Sequence, residues 1–219
     1  MSIPKLELTD LSKTYGKTRA LRNFTYTFTP GIYGLLGPNG AGKSTLMSIL
    51  AGILDPTSGE VKLNGEPISK LGENYRSKLG FVPQQQKMYD FYTGYQFLEY
   101  MAALKGLDKH SAPGIIRKAL EDVELTEHAN KKVGAYSGGM KQRVGIARAY
   151  ANNPKVLIMD EPTAALTQSE TEVLFQVINS LREKGVSIVY ISHRMEEIFE
   201  LCDRITILRD GEYIDTKYI

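Results

Sequence analysis

The stretch Gly37-Pro38-Asn39-Gly40-Ala41-Gly42-Lys43-Ser44 fits the pattern G-x-x-x-x-G-K-[ST]. The apolar run Ile32–Leu36 precedes it, and helical periodicity follows from about Lys43 to Ala51, with Gly52 as a stop signal. Glycines allow the backbone to curl so that successive N–H groups point inward, and the N-terminus of the following helix adds positive charge. A strand, a loop and a helix in this order predict a loop that binds the phosphates of a nucleoside triphosphate.

The side chains of this loop suit different parts of a magnesium nucleotide. We expect the Lys43 ammonium to reach the β- and γ-phosphates and the Ser44 hydroxyl to hold Mg²⁺. The alternative is a glycine-rich turn that binds no ligand. If the loop binds a nucleotide, the binding residues in this stretch are Gly37, Asn39, Gly40, Gly42, Lys43, Ser44 and Thr45.

Two acidic residues follow an apolar strand much further along the chain. Val156–Met159 is a short apolar run that leads directly into Asp160 and Glu161. Because neighbouring side chains of a strand point to opposite faces, two consecutive acids at its end suggest two roles. We expect Asp160 to hold Mg²⁺, directly or through water, and Glu161 to polarise the attacking water as a general base. The alternative is that one of the acids merely caps the strand end.

The remaining strand signals predict two kinds of sheet. Near the N-terminus, Phe24, Tyr26 and Phe28 alternate with threonines, which is typical of a half-buried strand in a small antiparallel sheet. Towards the C-terminus, the β-rich runs Val186–Ile191 and Ile205–Leu208 alternate with helical patterns. Such alternation predicts a largely parallel sheet that is covered by helices on both faces.

Between these regions helical periodicity dominates. Phe97, Tyr100, Met101 and Leu104 are spaced to line one helix face. We therefore predict an α/β fold: a P-loop NTPase core with a mainly parallel sheet, an N-terminal antiparallel β subdomain and an inserted helical lobe. In residue numbers, a single domain spans 1–219, with its core at 1–85 and 153–219 and its helical lobe at about 86–152.

Composition limits the functional classes. The chain has 219 residues, 42% of them hydrophobic, which suffices for a sizeable core without metals or disulfides. Lys plus Arg number 27 against 25 Asp plus Glu, a net charge of +2, so we expect no nucleic-acid partner. No signal-peptide pattern begins the chain and no apolar run approaches the roughly 18 residues of a membrane span. We expect a soluble, cytoplasmic domain that reaches a membrane only through a partner.

Cys202 is the only cysteine, so no disulfide can form within the chain, which suits a reducing compartment. Together with Met195, Ile198 and Phe199 it falls at helical i, i+3, i+4, i+7 spacing. This spacing predicts a helix stripe that faces the core, and an unreactive thiol.

Several short motifs acquire meaning through their order. Ser137-Gly138-Gly139-Met140-Lys141-Gln142-Arg143 opens a helix, and by itself could be an ordinary Gly-Gly turn. Tyr15, Gln84 and His193 are likewise uninformative singly. In this order, with the phosphate loop and Asp160-Glu161, they make the chain from about residue 4 to 215 resemble the nucleotide-binding domain of ATP-binding cassette (ABC) transporters.

The resemblance implies an ATPase with ATP and Mg²⁺ as ligands. It implies that Tyr15 stacks on the adenine, that Gln84 touches Mg²⁺ and links to the helical lobe, and that His193 contacts the γ-phosphate. The catalytic residues are then Glu161, His193 and Lys43, and the metal ligands Ser44, Gln84 and Asp160.

The same resemblance implies how the domain is assembled. Two such domains, as a homodimer or a heterodimer, meet head to tail around ATP, and Ser137, Gly138 and Gly139 close on the nucleotide of the other copy. Partner transmembrane subunits carry the transported substrate, and the ATPase lies peripherally on the cytoplasmic face of the membrane. The substrate, its direction and the partner lie outside what the sequence predicts.

The chain departs from the family pattern after Glu161. The family commonly reads Pro-Thr-x-x-Leu-Asp there, whereas this chain has Thr167 in place of the aspartate, which puts the coupling of the two sites in question. Alternatively Thr167 is a helix N-cap whose capping box is completed by Glu170. Met140 also replaces the commoner glutamine.

The resemblance is uneven along the chain. Residues 31–60 and 133–150 look most like exporter-type ATPases, and residues 160–214 like the ATPases of monosaccharide importers. One hypothesis is a chimera, natural or engineered, with a seam near Asn152–Val156.

Other functions fit the motifs less well. A GTPase would need Asn-Lys-x-Asp, and Asn130-Lys131-Lys132-Val133 lacks the aspartate. A nucleoside kinase would not need the Ser137 motif. Two alternatives keep the fold: a soluble ABC ATPase outside transport, and an engineered cassette without a natural membrane partner.

Overall fold

A computed structural model describes residues 5–219, so the first four residues of the predicted core segment lie outside the described part. Two sheets and eight α-helices organise the described residues. The strands are β1 Leu6–Tyr15, β2 Thr18–Phe28, β3 Ile32–Leu36, β4 Ser58–Leu63, β5 Glu66–Pro67, β6 Leu79–Val82, β7 Val156–Asp160, β8 Ser187–Ile191, β9 Arg204–Arg209 and β10 Glu212–Tyr218. The helices are α1 Lys43–Leu50, α2 Ile68–Leu71, α3 Glu73–Ser77, α4 Gly94–Leu104, α5 Ala112–Asp122, α6 Gly138–Tyr150, α7 Gln168–Glu183 and α8 Met195–Leu201.

The smaller sheet is antiparallel and has the order β2-β1-β4-β5. Its inward residues, among them Leu6, Leu8 and Phe24, are buried against α1, which accounts for the alternation seen in the sequence. The predicted N-terminal antiparallel subdomain is confirmed.

The larger sheet has the order β10-β9-β3-β8-β7-β6. All its neighbouring strands are parallel except β10, which pairs antiparallel with β9 at the edge. Because the strands from β9 to β6 run the same way, their carboxyl ends meet at one edge of the sheet. The loops that follow Leu36, Val82, Asp160 and Ile191 therefore leave the sheet side by side. The predicted mainly parallel core is confirmed.

Helices α4, α5 and α6 follow β6 and precede β7 in the sequence, and they pack on one another, as expected for an inserted helical segment. The helix face predicted for α4 from apolar spacing is only partly buried. Phe97 is buried, but Tyr100 and Leu104 are exposed, and the other buried residues of α4 are Gly94, Leu98 and Ala102. Tyr100 packs edge-on against Tyr89 in a surface cluster of aromatic rings, with ring centroids 5.5 Å apart.

The predicted stripe on α8 is also wrong in part. Ile198 and Cys202 are buried, and burial raises the pKa of the Cys202 thiol to about 12, in agreement with an unreactive core thiol. Met195 and Phe199, however, are 44% and 56% exposed. Met195 and Phe199 lie on the uncovered side of α8, and Cys202 lies beyond the last helical residue, Leu201, with φ −90° and ψ 147°.

Within residues 5–219, no helix is both long enough and apolar enough to cross a membrane.

Candidate functional site

The phosphate loop connects β3 to α1 with the geometry that its glycines allow. Gly42 has φ 99° and immediately precedes α1, and a Cβ added there would collide with the carbonyl oxygen of Ala20 and the side chain of Leu21. Only glycine fits this position without strain. The N–H groups at the start of α1 therefore face the loop, where an anion is stabilised by unpaired donors and the helix dipole.

Lys43 bends back over the loop. Its ammonium donates to the carbonyl oxygens of Gly37 at 2.6 Å and Pro38 at 3.1 Å. These carbonyls hold the charged group at the loop, within the region where a phosphate chain would lie. The predicted phosphate-binding lysine is thus positioned by its own loop.

Asp160 and Glu161 lie at the carboxyl end of β7. Asp160 pairs with Ile191 of the parallel neighbour β8 and is half-buried. Burial, and then the Glu161 carboxylate, raise the pKa of Asp160, while the Lys43 ammonium opposes the rise. The anionic form of Asp160 therefore gains from any cation placed in the site.

The backbone turns sharply at Glu161. Its φ is 45°, a left-handed value that is uncommon for a residue with a side chain. Its N–H donates to Ile191 O at 2.9 Å, which holds the turn against the end of β8. Such a conformation persists only where neighbouring structure enforces it, and such residues cluster at functional sites.

Gln84 and His193 both contact the Glu161 carboxylate. Gln84 Nε2 donates to Glu161 Oε2 at 3.0 Å, and His193 Nδ1 lies 3.3 Å from Glu161 Oε1. Three residues that are far apart in the sequence therefore meet, as expected from the shared sheet edge. The carboxylate is held from two sides, as a general base that must be oriented towards a reacting water would be.

A cavity of ≈ 400 Å³ joins the phosphate loop to these acids. Its lining residues are Thr18, Arg19, Ala20, Asn39, Gly40, Ala41, Gly42, Lys43, Ser44, Thr45, Gln84, Asp160, Glu161 and Ile191. A larger cleft of ≈ 840 Å³ elsewhere is lined by none of the predicted site residues, so size alone does not identify the site.

The predicted metal ligands share this cavity. Ser44, Gln84 and Asp160 offer a hydroxyl, an amide and a carboxylate. Mg²⁺ prefers oxygen ligands, keeps several waters, and is commonly held by one or two carboxylates together with substrate phosphates. The oxygen atoms of these three side chains fit a Mg²⁺ ion that is held partly by the protein and partly by waters and phosphates. In the described residues no cluster of three or more His, Cys, Asp or Glu forms a separate all-protein metal site.

Tyr15 lies beside the cavity and does not line it. The residue ends β1, is exposed, and pairs with Thr18, which does line the cavity. The Lys13 ammonium lies 5.5 Å from the centroid of the Tyr15 ring.

The Ser137 motif forms the N-terminus of α6. Ser137 Oγ accepts from Met140 N–H at 3.2 Å, and Gly139 N–H donates to Glu170 Oε1 at 3.0 Å. The Gly139 amide, with help from Ser137 and Thr167, lowers the pKa of the Glu170 carboxyl to about 2. A carboxylate of the same chain therefore sits at the helix N-terminus that is expected to close on the nucleotide of the other copy.

Thr167 caps α7. Its side chain accepts from Glu170 N–H, and the Glu170 side chain accepts from Thr167 N–H at 3.2 Å. The predicted capping box is confirmed. Through Glu170, this cap is also bonded to Gly139 of the Ser137 motif.

The segment around Gln84 reaches α6 through a neighbouring glutamine. Gln86 Nε2 donates to Gln142 Oε1 at 2.7 Å, and the Gln86 side chain fills the space above Gly145. A residue with a Cβ at position 145 would collide with it. The family resemblance assigns a link with the helical lobe to Gln84, and that link stays a prediction; the side-chain contact with α6 is made by Gln86.

Other neighbours of the site carried no sequence signal. Thr18 and Arg19 line the cavity from the start of β2, just after the hairpin turn that follows Tyr15. Glu197, on α8, is bonded to residues that flank both Glu161 and His193. None of these three residues belongs to a motif with a recognisable spacing.

Comparisons with known proteins agree with this geometry. A family model described as "ABC transporter" matches residues 21–164. The ribose import ATP-binding protein of Bacillus subtilis strain 168 is 39% identical over 222 residues, 98% of this chain and 45% of that protein. The linearmycin resistance ATP-binding protein of the same strain is 37% identical over 210 residues, 95% of this chain and 68% of that protein. The chain thus spans less than half the length of the ribose import relative.

A solved structure shows the same architecture. A dimeric ATP-binding cassette in a post-hydrolysis state, bound to ADP and Pi, is 31% identical and has a TM-score of 0.83. The match covers 97% of this chain and 98% of that chain.

Proposed function

The chain belongs to the ABC transporter family of ATP-binding domains, and from that premise we propose that it hydrolyses ATP to drive transport through partner transmembrane subunits. The observation that supports this most strongly is the Glu161 carboxylate, held by Gln84 and His193 at the mouth of the cavity that the phosphate loop lines. A phosphate cradle and an oriented base in one cavity are what triphosphate hydrolysis requires.

In the proposed site, ATP lies along the start of α1. Lys43 leaves the carbonyls of its own loop and binds the β- and γ-phosphates, while loop amides from Gly37 to Thr45 surround the phosphate chain. Tyr15, exposed beside the cavity, stacks on the adenine. Ser44, Gln84 and Asp160 would hold Mg²⁺, which neutralises phosphate charge when it is bound.

Glu161 acts as the general base. It orients a water towards the γ-phosphorus and takes the proton of that water as the new P–O bond forms and the bond to ADP breaks. His193 contacts the γ-phosphate and fixes the Glu161 carboxylate from the other side. Most of the rate enhancement then comes from positioning and charge stabilisation.

The site is completed by a second cassette. Ser137, Gly138 and Gly139 lie at the start of α6 and contact Glu170 and α7 of their own chain, and none of them lines the cavity. We propose that in a head-to-tail dimer they close on the γ-phosphate held by the partner copy. The dimeric relative bound to ADP and Pi supports the pairing of two such cassettes.

Transport requires a surface for the membrane subunits. Tyr89, Phe91 and Tyr100 form an exposed aromatic cluster between Gln84 and the middle of α4. We propose that the membrane subunits dock on this cluster, with the ATPase on the cytoplasmic face of the membrane. We also propose that residues 86–152 move as a helical lobe against the core at 1–85 and 153–219.

Two measurements test the proposal. Purified chain is expected to bind Mg-ATP and release phosphate, and a metal chelator is expected to stop the release. A chain that neither retains Mg-nucleotide nor hydrolyses it would remove the ATPase assignment.

The transport role needs its own test. Integral membrane subunits are expected to co-purify with the wild-type chain and to be lost with Phe91→Glu, whereas Ile219→Glu, far along the sequence, serves as the surface control. Equal recovery with both variants would reject the aromatic cluster as the docking surface. A chain that hydrolyses ATP but recovers no integral membrane subunit in this co-purification would favour a non-transport or engineered cassette. The chimera stays a hypothesis, since the importer and resistance relatives each align over at least 95% of the chain.

A further inference from the structure

Glu197 is a buried carboxylate that belongs to none of the motifs described above. It lies in the first turn of α8 and is 3% exposed. Three hydroxyl groups donate to its Oε2 atom: Thr163 Oγ1 at 2.7 Å, Tyr190 Oη at 2.9 Å and Ser192 Oγ at 2.9 Å. The Arg194 guanidinium forms an ion pair with the other oxygen, at 2.8 Å from Oε1.

Apart from Tyr190, which lies in β8, these partners come from the two loops that carry the proposed chemistry. Thr163 is two residues beyond Glu161, and Ser192 and Arg194 flank His193 on either side. Ser192 Oγ also accepts from Arg194 N–H at 3.0 Å, which folds the His193 loop around Glu197. A single carboxylate oxygen thus joins the loop after β7 to the loop after β8.

The cost of burying this carboxylate points to a role beyond packing. Removing an ionised carboxyl group from water is strongly unfavourable unless the group is paired and hydrogen-bonded. Bonds to a charged acceptor are stronger and more directional than those between neutral groups. Three such bonds and one ion pair therefore fix the relative positions of the segments that supply them.

We propose that Glu197 is a positioning residue that holds the His193 loop against the Glu161 loop and so maintains the 3.3 Å contact between His193 Nδ1 and Glu161 Oε1. This inference rests on the proposed function for its effect on turnover. The contact between the two loops can be measured without turnover.

The hydroxyl donors provide matched variants. Thr163→Val and Ser192→Ala each remove a bond between Glu197 and one of the two loops. Tyr190→Phe removes a bond to the same oxygen, but Tyr190 lies within strand β8, so both loops stay tethered. A purely structural carboxylate would respond alike to all three losses, whereas a positioning residue would not.

We expect Thr163→Val and Ser192→Ala to lower kcat roughly tenfold to a hundredfold, because small displacements of catalytic groups cost that much. Their affinity for Mg-ATP should stay within about twofold, since the phosphate loop is unchanged. Tyr190→Phe should lower the unfolding temperature and keep kcat within about twofold. Glu197→Gln, if it folds, should resemble the two loop variants.

Nuclear magnetic resonance supplies a readout independent of hydrolysis. The ring resonances of His193 are expected to shift in Thr163→Val and Ser192→Ala and to stay in place in Tyr190→Phe, with His110 and His128 as internal references. Equal shifts in all three variants, or kcat losses that follow thermal stability alone, would overturn the proposal. A wild-type chain that shows the selective His193 shifts and no ATP hydrolysis would contradict the proposed function and leave the loop coupling supported.

Discussion

Gly139 and Glu170 are joined by a hydrogen bond in which the glycine N–H donates to the carboxylate at 3.0 Å. The amide proposed to meet the γ-phosphate of a second copy is therefore already bound to an anion of its own chain. Glu170 also completes the capping box with Thr167, the residue that replaces the usual aspartate. The substitution at position 167 and the state of the Ser137 motif are thus physically connected.

The Glu170 carboxylate is expected to make stability depend on pH in the acid range. Its pKa in the folded protein, about 2, lies below the ordinary value of 4.5. The contribution of its ionised form to folding stability is therefore complete above about pH 4.5 and is lost as the pH falls towards 2. Glu170→Gln should therefore lower the unfolding temperature at pH 7 and have a much smaller effect at pH 3. Thermal unfolding measured from pH 7 to pH 3 gives this difference. Glu172→Gln, on the exposed face of α7, is the control, and a pH-independent difference for Glu170→Gln would contradict the prediction.

Glu161→Gln is expected to keep ATP binding and to lose most turnover. Loss of a general base commonly costs 10²- to 10⁴-fold in rate, and the amide preserves the size of the side chain. Because hydrolysis then no longer opens the dimer, an ATP-bound dimer should accumulate. Phosphate release and size-exclusion chromatography with ATP measure the two effects. Undiminished hydrolysis in this variant would refute the assignment of the base, and exposed Glu127→Gln should behave as wild type.

Gly42→Ala is expected to destabilise the fold and to weaken nucleotide binding. The φ of 99° is strained for alanine, and the added Cβ would collide with Ala20 and Leu21, so a loss of about 1–3 kcal/mol is expected. Gly114→Ala is the matched control. It lies within α5 with open space around it, and should stabilise the protein by about 0.5–1 kcal/mol. Chemical denaturation measures the unfolding free energy of both variants. Equal values for the two would mean that the phosphate loop adapts to the added methyl group.

Gly145→Ala is expected to lower kcat by displacing Gln86, and with it the segment that carries Gln84. The second substitution Gln86→Ala makes room for the new methyl group, so the double variant should recover activity relative to Gly145→Ala alone. A double-mutant cycle on kcat and on unfolding free energy measures this coupling. Additive effects would show that the two residues act independently.

The sequence predicted the elements whose signals are local. The phosphate loop, the acids after β7 and the capping box at Thr167 each lie within a few residues, so spacing alone indicates them. The shared sheet edge then follows from parallel strands, and with it the meeting of Gln84, Glu161 and His193.

Contacts made at long range were not predictable in this way. The bond from Glu170 to Gly139 depends on how α7 packs beside α6, and no pattern in either helix indicates it. On α8, periodicity marked Met195 and Phe199 as inward, because the pattern identifies apolar residues and does not show which face is covered. Glu197 is buried although charged residues are usually exposed, because its partners come from the loop after β7 and from residues 190–194, which no local pattern links to it. The ligand-binding roles of the site residues stay predictions.

The neighbouring positions of β6 and β7 have a consequence for how this chain tolerates change. Val82 and Met159 are register partners in adjacent parallel strands, although the whole segment carrying α4, α5 and α6 lies between them in sequence. The chain therefore leaves the sheet at the end of β6 and, after this segment, returns to it in the adjacent strand β7. The length and shape of this segment can therefore diverge while Asp160 and Glu161 stay in place. Under the proposed function, this would let one catalytic centre be coupled to many kinds of cargo.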